Sequence, residues 1–330
     1  MKIMRKSIWS MSIGAACLMI VGCASPSMTE GDLVETSQQD LSNIELRNPD
    51  LYADYFPAGL KANGATILLI GGSEGGLSEA GRRDALFFQD AGFNVLQMSF
   101  YLAEGQPENL EMIPLELFHN AIDWLSAREE VSTKQFGIMG TSKGAEAALI
   151  VASRHSEIDA VVAVVPSSVS WQGINWSRDG RVPEASWSLN GEAVASMPYG
   201  VWDNELGLFS LYENGLKARE QHPDAFIEIE RSNAATLLVC GGADMLWPSC
   251  PMAEQLKSRA IKNDGPEVDI LKYAEAGHFV SGLPDESVDS SDQTPVTFGG
   301  TVASNHAAQL DNWPKILAFL NENLVVHGDE

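Results

Sequence analysis

Basic residues are scarce in this chain. Among 330 residues, 21 Lys and Arg stand against 45 Asp and Glu, a formal charge of −24. No block of five basic residues occurs. A chain of this sign repels phosphate backbones, which argues against nucleic acid as a partner. Cysteine is also scarce, at positions 17, 23, 240 and 250. No Cys/His group has zinc-ligand spacing, so no metal and no other cofactor is implied. Apolar content is not among the deficits. Hydrophobic residues make up 45% of the chain and aromatic residues 8%, enough for a full core, so wholesale disorder is excluded. The length suits one α/β domain of roughly 250 residues with extras.

The N-terminus reads as a targeting segment. Lys2, Arg5 and Lys6 form a positive region, and Ile8 to Val21 is an apolar stretch too short and too Ser/Gly-rich to span a bilayer comfortably. It ends Ile20-Val21-Gly22-Cys23, followed by Ala24-Ser25, which resembles a bacterial lipobox. That resemblance implies a signal peptide over 1–22 and an acylated, palmitate-bearing Cys23 as the mature N-terminus. An otherwise soluble domain would then be exported and held at a membrane surface by lipid. Ala24 after the Cys resembles the outer-membrane sorting pattern, which places the domain on the periplasmic side of the cell envelope. An ordinary secretory signal cut nearby is the alternative. Residues 23–50 are polar and read as a tether. In an oxidising compartment Cys240 and Cys250 could form a disulfide, and two buried free thiols are equally open.

From Leu51 onward, strand-like and helix-like segments alternate, which means a mostly parallel sheet wound on both faces. The apolar run 65–70 ends in glycines and suits a buried strand. Ser78 caps a helix that runs to Asp90. Further strands are expected at 93–98, 135–139, 160–165, 236–240 and 268–273. Further helices are expected at 115–128, 143–153, about 251–262 and 302–323. Residues 168–232 break the rhythm, with no clear strand. They hold Trp171, Trp176, Trp187 and Trp202, four of the eight tryptophans. An insertion that long reads as an aromatic cap over a pocket.

Two stretches fit G-x-S-x-G: Gly71-Gly72-Ser73-Glu74-Gly75 and Gly140-Thr141-Ser142-Lys143-Gly144. Context separates them. A nucleophile elbow needs a strand entering a tight turn and a helix leaving it. Ser142 has Phe136-Gly137-Ile138-Met139 before it and Ala145-Glu146-Ala147-Ala148-Leu149 after it. Ser73 is followed by Gly75-Gly76, which cannot propagate a helix, and lies where an oxyanion-hole loop belongs. The partners then follow in the order Ser…Asp…His. Asp244 leaves the end of the strand at 236–240, and His278 lies just past the strand at 268–273. Asp269 is a weaker acid, because it falls within that strand. Ser142 is thus the expected nucleophile, His278 the base and Asp244 the acid. The backbone N–H groups of Lys143 and Ser73, with Glu74 the neighbouring alternative, are expected to form the oxyanion hole. The Lys143 side chain is expected to be solvated or paired with an acidic neighbour.

These motifs together resemble one family. Gly71-Gly72-Ser73-Glu74-Gly75-Gly76-Leu77-Ser78-Glu79 is similar to the first-strand loop of the C-terminal domain shared by acyl-CoA thioester hydrolases and bile-acid-CoA:amino-acid N-acyltransferases. Gly140-Thr141-Ser142-Lys143-Gly144-Ala145-Glu146 resembles its elbow, and Gly242-Ala243-Asp244-Met245-Leu246-Trp247-Pro248-Ser249 its acid loop. Ala276-Gly277-His278 resembles its histidine loop. Gly299-Gly300-Thr301 and Trp313-Pro314-Lys315 resemble its last helix. The match spans about 51–325. It implies an α/β-hydrolase fold over 51–330, the same three residues, and hydrolysis of an acyl ester or thioester. Coenzyme A esters carry several negative charges, as this chain does. Small neutral esters, the substrates of enzymes similar to dienelactone hydrolases, are the alternative. A non-catalytic surface lipoprotein binding a ligand under the cap is the alternative of another class.

Overall fold

The computed structural model describes residues 42–131, 136–177 and 179–325. The signal segment, Cys23 and most of the tether lie outside the described residues. The strands are β1 (Ile44–Asn48), β2 (Leu51–Phe56), β3 (Thr66–Ile70), β4 (Asn94–Ser99), β5 (Ile113–Pro114) and β6 (Phe136–Thr141). They continue with β7 (Ala160–Val164), β8 (Trp187–Leu189), β9 (Glu192–Ala193), β10 (Ala235–Gly241) and β11 (Val268–Tyr273). The helices are α1 (Glu79–Asp90), α2 (Glu116–Ser126), α3 (Lys143–Ala152), α4 (Leu208–Leu216), α5 (Ser249–Lys262) and α6 (Val302–Leu324).

Eight strands form one sheet in the order β1-β2-β4-β3-β6-β7-β10-β11. β1 and β2 are antiparallel to their neighbours, and the other pairs are parallel. The apolar runs alternate between two cores. Leu68 and Ile70 of β3 pack with Phe118 of α2, Ala148 of α3 and Leu256 of α5. Ile67 and Leu69 pack on the other face with Phe88 of α1 and Trp313 and Leu320 of α6. Burial on both faces is why these strands read as continuous apolar runs. Ser78 caps α1 by accepting from the Gly81 N–H at 3.0 Å. A capping box between Thr301 and Ser304 starts α6. This is the expected α/β architecture, and it carries every strand end named above to one edge of the sheet.

Two expectations need correction. The polar stretch to residue 50 is not all tether, because Ile44–Asn48 pairs with β2 as the edge strand. Only Ile44 and Leu46 of that strand pack on the core, so its alternation is hidden among polar neighbours. The insertion between β7 and β10 is also not free of strands. Its β8 and β9 join β5 in a second, three-stranded sheet. Strands of two or three residues are too short to show a period.

The four insertion tryptophans divide. Trp171 and Trp187 are fully buried, whereas Trp176 and Trp202 are 45% and 51% exposed. Trp171 packs against Tyr199 and Tyr212, and Trp187 against Phe100 and Phe118 of the main core. Trp187 fastens the insertion to the main core, whereas the Trp171 ring packs within the insertion and its backbone N–H bonds to Glu146 of α3. Among the described residues, no helix is long and apolar enough to cross a membrane.

Candidate active site

Ser142 sits between β6 and α3 with φ at +56°. A non-glycine residue in that region is strained by roughly 1–3 kcal/mol, and such strain persists only where packing enforces it. The packing is visible at the flanking glycines. A Cβ on Gly140 would lie 2.1 Å from the Gly144 carbonyl oxygen, and one on Gly144 would lie 2.1 Å from the Gly71 carbonyl oxygen. The turn is therefore pressed onto its own helix and onto the loop after β3. That is the physical content of G-x-S-x-G here.

The three strand-end loops bring Ser142, His278 and Asp244 together. His278 Nε2 lies 3.0 Å from Ser142 Oγ. His278 Nδ1 lies 3.0 Å from Asp244 Oδ2 and 3.2 Å from Oδ1. All three residues are buried, with Ser142 only 6% exposed, so the elbow is more covered than its sequence suggests. Asp244 Oδ1 also accepts from the N–H groups of Leu246 and Trp247. These bonds fix the orientation of the carboxylate. Asp269 stays within β11 with its side chain exposed.

The acid and histidine loops are knitted together through one carbonyl. Phe298 O accepts from both Met245 N–H and His278 N–H at 3.0 Å. Gly299 passes so close that a Cβ there would lie 1.8 Å from the Ala243 carbonyl oxygen. One face of α6 grips the histidine loop. Asn305 accepts from Gly277 N–H at 2.7 Å, Gln309 donates to the carbonyls of Phe279 and Ser281, and Asn312 donates to that of Val280. Sequence reasoning missed these three residues. Their i, i+4, i+7 spacing was the available signal, but polar residues at that spacing ordinarily mark a solvated face.

The loop carrying Ser73 borders the elbow. A Cβ on Gly72 would lie 3.3 Å from Ser142 Cβ. Glu74 Oε1 accepts from Gly72 N–H at 2.9 Å, and the Tyr101 hydroxyl donates to the Ser73 carbonyl. Among the described residues, no group accepts from the N–H of Ser73 or of Lys143. The Lys143 N–H opens α3, where backbone donors and the helix dipole favour negative charge. The Lys143 side chain is not solvated: it is buried and paired with Glu146 at 2.7 Å.

Cys240, at the end of β10, and Cys250, in the first turn of α5, are joined by a disulfide that brackets the Asp244 loop. A groove of about 500 Å³ opens elsewhere, between the insertion and α5, and none of the three central residues lines it. Among the described residues, no group of three His, Cys, Asp or Glu side chains could hold a metal ion.

Acyl-coenzyme A thioesterase 3 of Mus musculus is 29% identical over 238 residues, covering 71% of this chain and 53% of the relative. Human acyl-coenzyme A thioesterase 1 is 26% identical over 266 residues, covering 78% and 59%. The chain thus spans a little over half the length of the curated relatives it matches. Among solved structures, a dienelactone hydrolase from Klebsiella pneumoniae superposes with a TM-score of 0.52 at 14% identity, covering 82% of this chain and 93% of that one. An esterase from Pyrococcus furiosus gives 0.52 at 15% identity, covering 86% and 92%. These two share the fold. Residues 113–326 match the family model described as BAAT / Acyl-CoA thioester hydrolase C terminal, and the chain belongs to that family.

Proposed function

We propose that this chain is a serine hydrolase that cleaves acyl thioesters or esters through an acyl-enzyme intermediate on Ser142. The observation that supports it most is the position of His278, whose ring reaches Ser142 with one nitrogen and Asp244 with the other. A serine hydroxyl is a weak nucleophile until a base takes its proton during attack. His278 Nε2 accepts that proton, and Asp244 holds the tautomer and stabilises the imidazolium that forms. The tetrahedral oxyanion is met by the Lys143 and Ser73 N–H groups, each worth on the order of 3 kcal/mol to the transition state. His278 then returns its proton to the leaving group. Water, activated by the same imidazole, releases the acid.

The relatives named as thioesterases support a thioester substrate. The charge of −24 supports a second reading, a small neutral ester, because coenzyme A would meet long-range repulsion. A panel of acyl-CoA and p-nitrophenyl esters tests both. Turnover of either class by the wild type, lost in Ser142→Ala, is the expected result. No turnover of any member would favour a ligand-binding lipoprotein. The lipobox-like Ile20-Val21-Gly22-Cys23 supports, as part of the same proposal, lipid anchorage to the cell envelope.

A further inference from the structure

The residue after Ser142 is buried with its charge. Lys143 and Glu146 are 1% and 0% exposed. Lys143 Nζ donates to Glu146 Oε2 at 2.7 Å and to Ser186 Oγ at 2.8 Å, and it lies over the Trp187 ring. Glu146 Oε1 accepts from Trp171 N–H at 2.9 Å and from Trp187 Nε1–H at 2.7 Å. Two residues of the first turn of α3 thus hold three residues of the insertion. Ser186 continues the chain of bonds by donating to the Gln172 carbonyl.

Stability does not explain this pair. Burial pushes the Lys143 ammonium down and the Glu146 carboxyl up, while each charge opposes the other's shift. Replacing a buried ion pair by apolar side chains of similar volume is often neutral or stabilising. A cation at the start of a helix also works against the dipole. What the pair does supply is fixity. Every polar atom of the two side chains has a partner, and Lys143 itself carries the N–H assigned above to the oxyanion hole.

We propose that the Lys143–Glu146 pair is a positioning device for the oxyanion hole. By tying the insertion to the first turn of α3, it holds the Lys143 N–H beside Ser142 Oγ. The inference rests on Ser142 being the nucleophile. Small displacements at such a donor cost rate without costing ground-state binding.

The test compares Glu146→Gln, Ser186→Ala and the double variant Lys143→Met/Glu146→Leu with the wild type. The readouts are kcat, KM, Tm and the inhibition constant of an alkylboronic acid, which forms a tetrahedral anion on a nucleophilic serine. The double variant is expected to keep its Tm and KM while kcat falls roughly tenfold to a hundredfold. Boronate affinity should fall by a similar factor. A double variant with wild-type kcat and boronate affinity overturns the proposal. Should it fail to fold, Glu146→Gln and Ser186→Ala decide. A fall in kcat and boronate affinity at unchanged KM, measured well below each variant's own Tm, supports positioning. Wild-type kcat, or a loss confined to Tm, overturns it. Failure of the wild type to react with a fluorophosphonate at Ser142 instead removes the nucleophile reading beneath it.

Discussion

The Asn305 side-chain oxygen accepts the Gly277 N–H at 2.7 Å and so fixes the peptide that leads into His278. Asn305 is buried and sits on α6, far along the chain from the elbow. Its amide nitrogen also donates to the Gly299 carbonyl. Removing it frees the histidine loop at its root without touching the reacting atoms. Asn305→Ala should therefore lower kcat on the order of a hundredfold, with KM little changed. Steady-state kinetics check this, and a variant with normal kcat would show that the grip of α6 is unnecessary.

Asp84 on α1 gives a pH dependence that belongs to the fold rather than to the reaction. Burial raises its carboxyl to about 7, against the Leu283 N–H and the Arg83 charge, which lower it. The neutral form is thus favoured in the folded chain. The stabilisation is complete below the ordinary carboxylate range near 4 and is lost as pH rises through about 7. Asp84→Asn should be more stable than the wild type at pH 8, by on the order of 5 °C in Tm, and should lose that advantage towards pH 4. Melting curves across pH check it.

The Cys240–Cys250 disulfide closes a short loop that holds Asp244. A bridge of ten-residue separation removes about 3 kcal/mol of unfolded-state freedom. Reduction, or Cys250→Ser, should lower Tm and also kcat, because the acid loop loses an anchor. Thiol labelling of the denatured, non-reduced protein should find neither cysteine free, and two labelled cysteines would contradict the bridge.

Cys23→Ser tests the lipid anchor. The variant should remain uncleaved at that position and incorporate no labelled palmitate. Normal incorporation would remove the anchor from the proposal.

Much of this molecule is legible in its sequence, for identifiable reasons. β3 and β7 are buried on both faces, so their composition alone declares them. Ser142, Asp244 and His278 each follow a strand directly, so chain order places them at one edge of the sheet. The Ile44–Asn48 strand escaped notice because only one of its faces is half-buried. Pairing of Lys143 with an acidic neighbour is legible, but the burial of the Lys143–Glu146 pair is not, because i, i+3 spacing looks the same on a surface helix. Only the tertiary seating of Trp171 and Trp187 buries it. Asn305, Gln309 and Asn312 escaped for the same reason, since their partners are backbone carbonyls and an N–H that no local pattern announces.

The most direct test is active-site labelling with a fluorophosphonate, followed by peptide mapping. A single adduct on Ser142 is expected, absent in Ser142→Ala and strongly slowed in His278→Ala. The corresponding rate losses in hydrolysis should be on the order of a million-fold for either variant, with little more in the double variant. Ser73→Ala should label normally, because its proposed contribution is a backbone N–H that survives the change. An adduct on Ser73, or labelling of Ser142 that ignores His278, would contradict the assignment of Ser142 as the nucleophile.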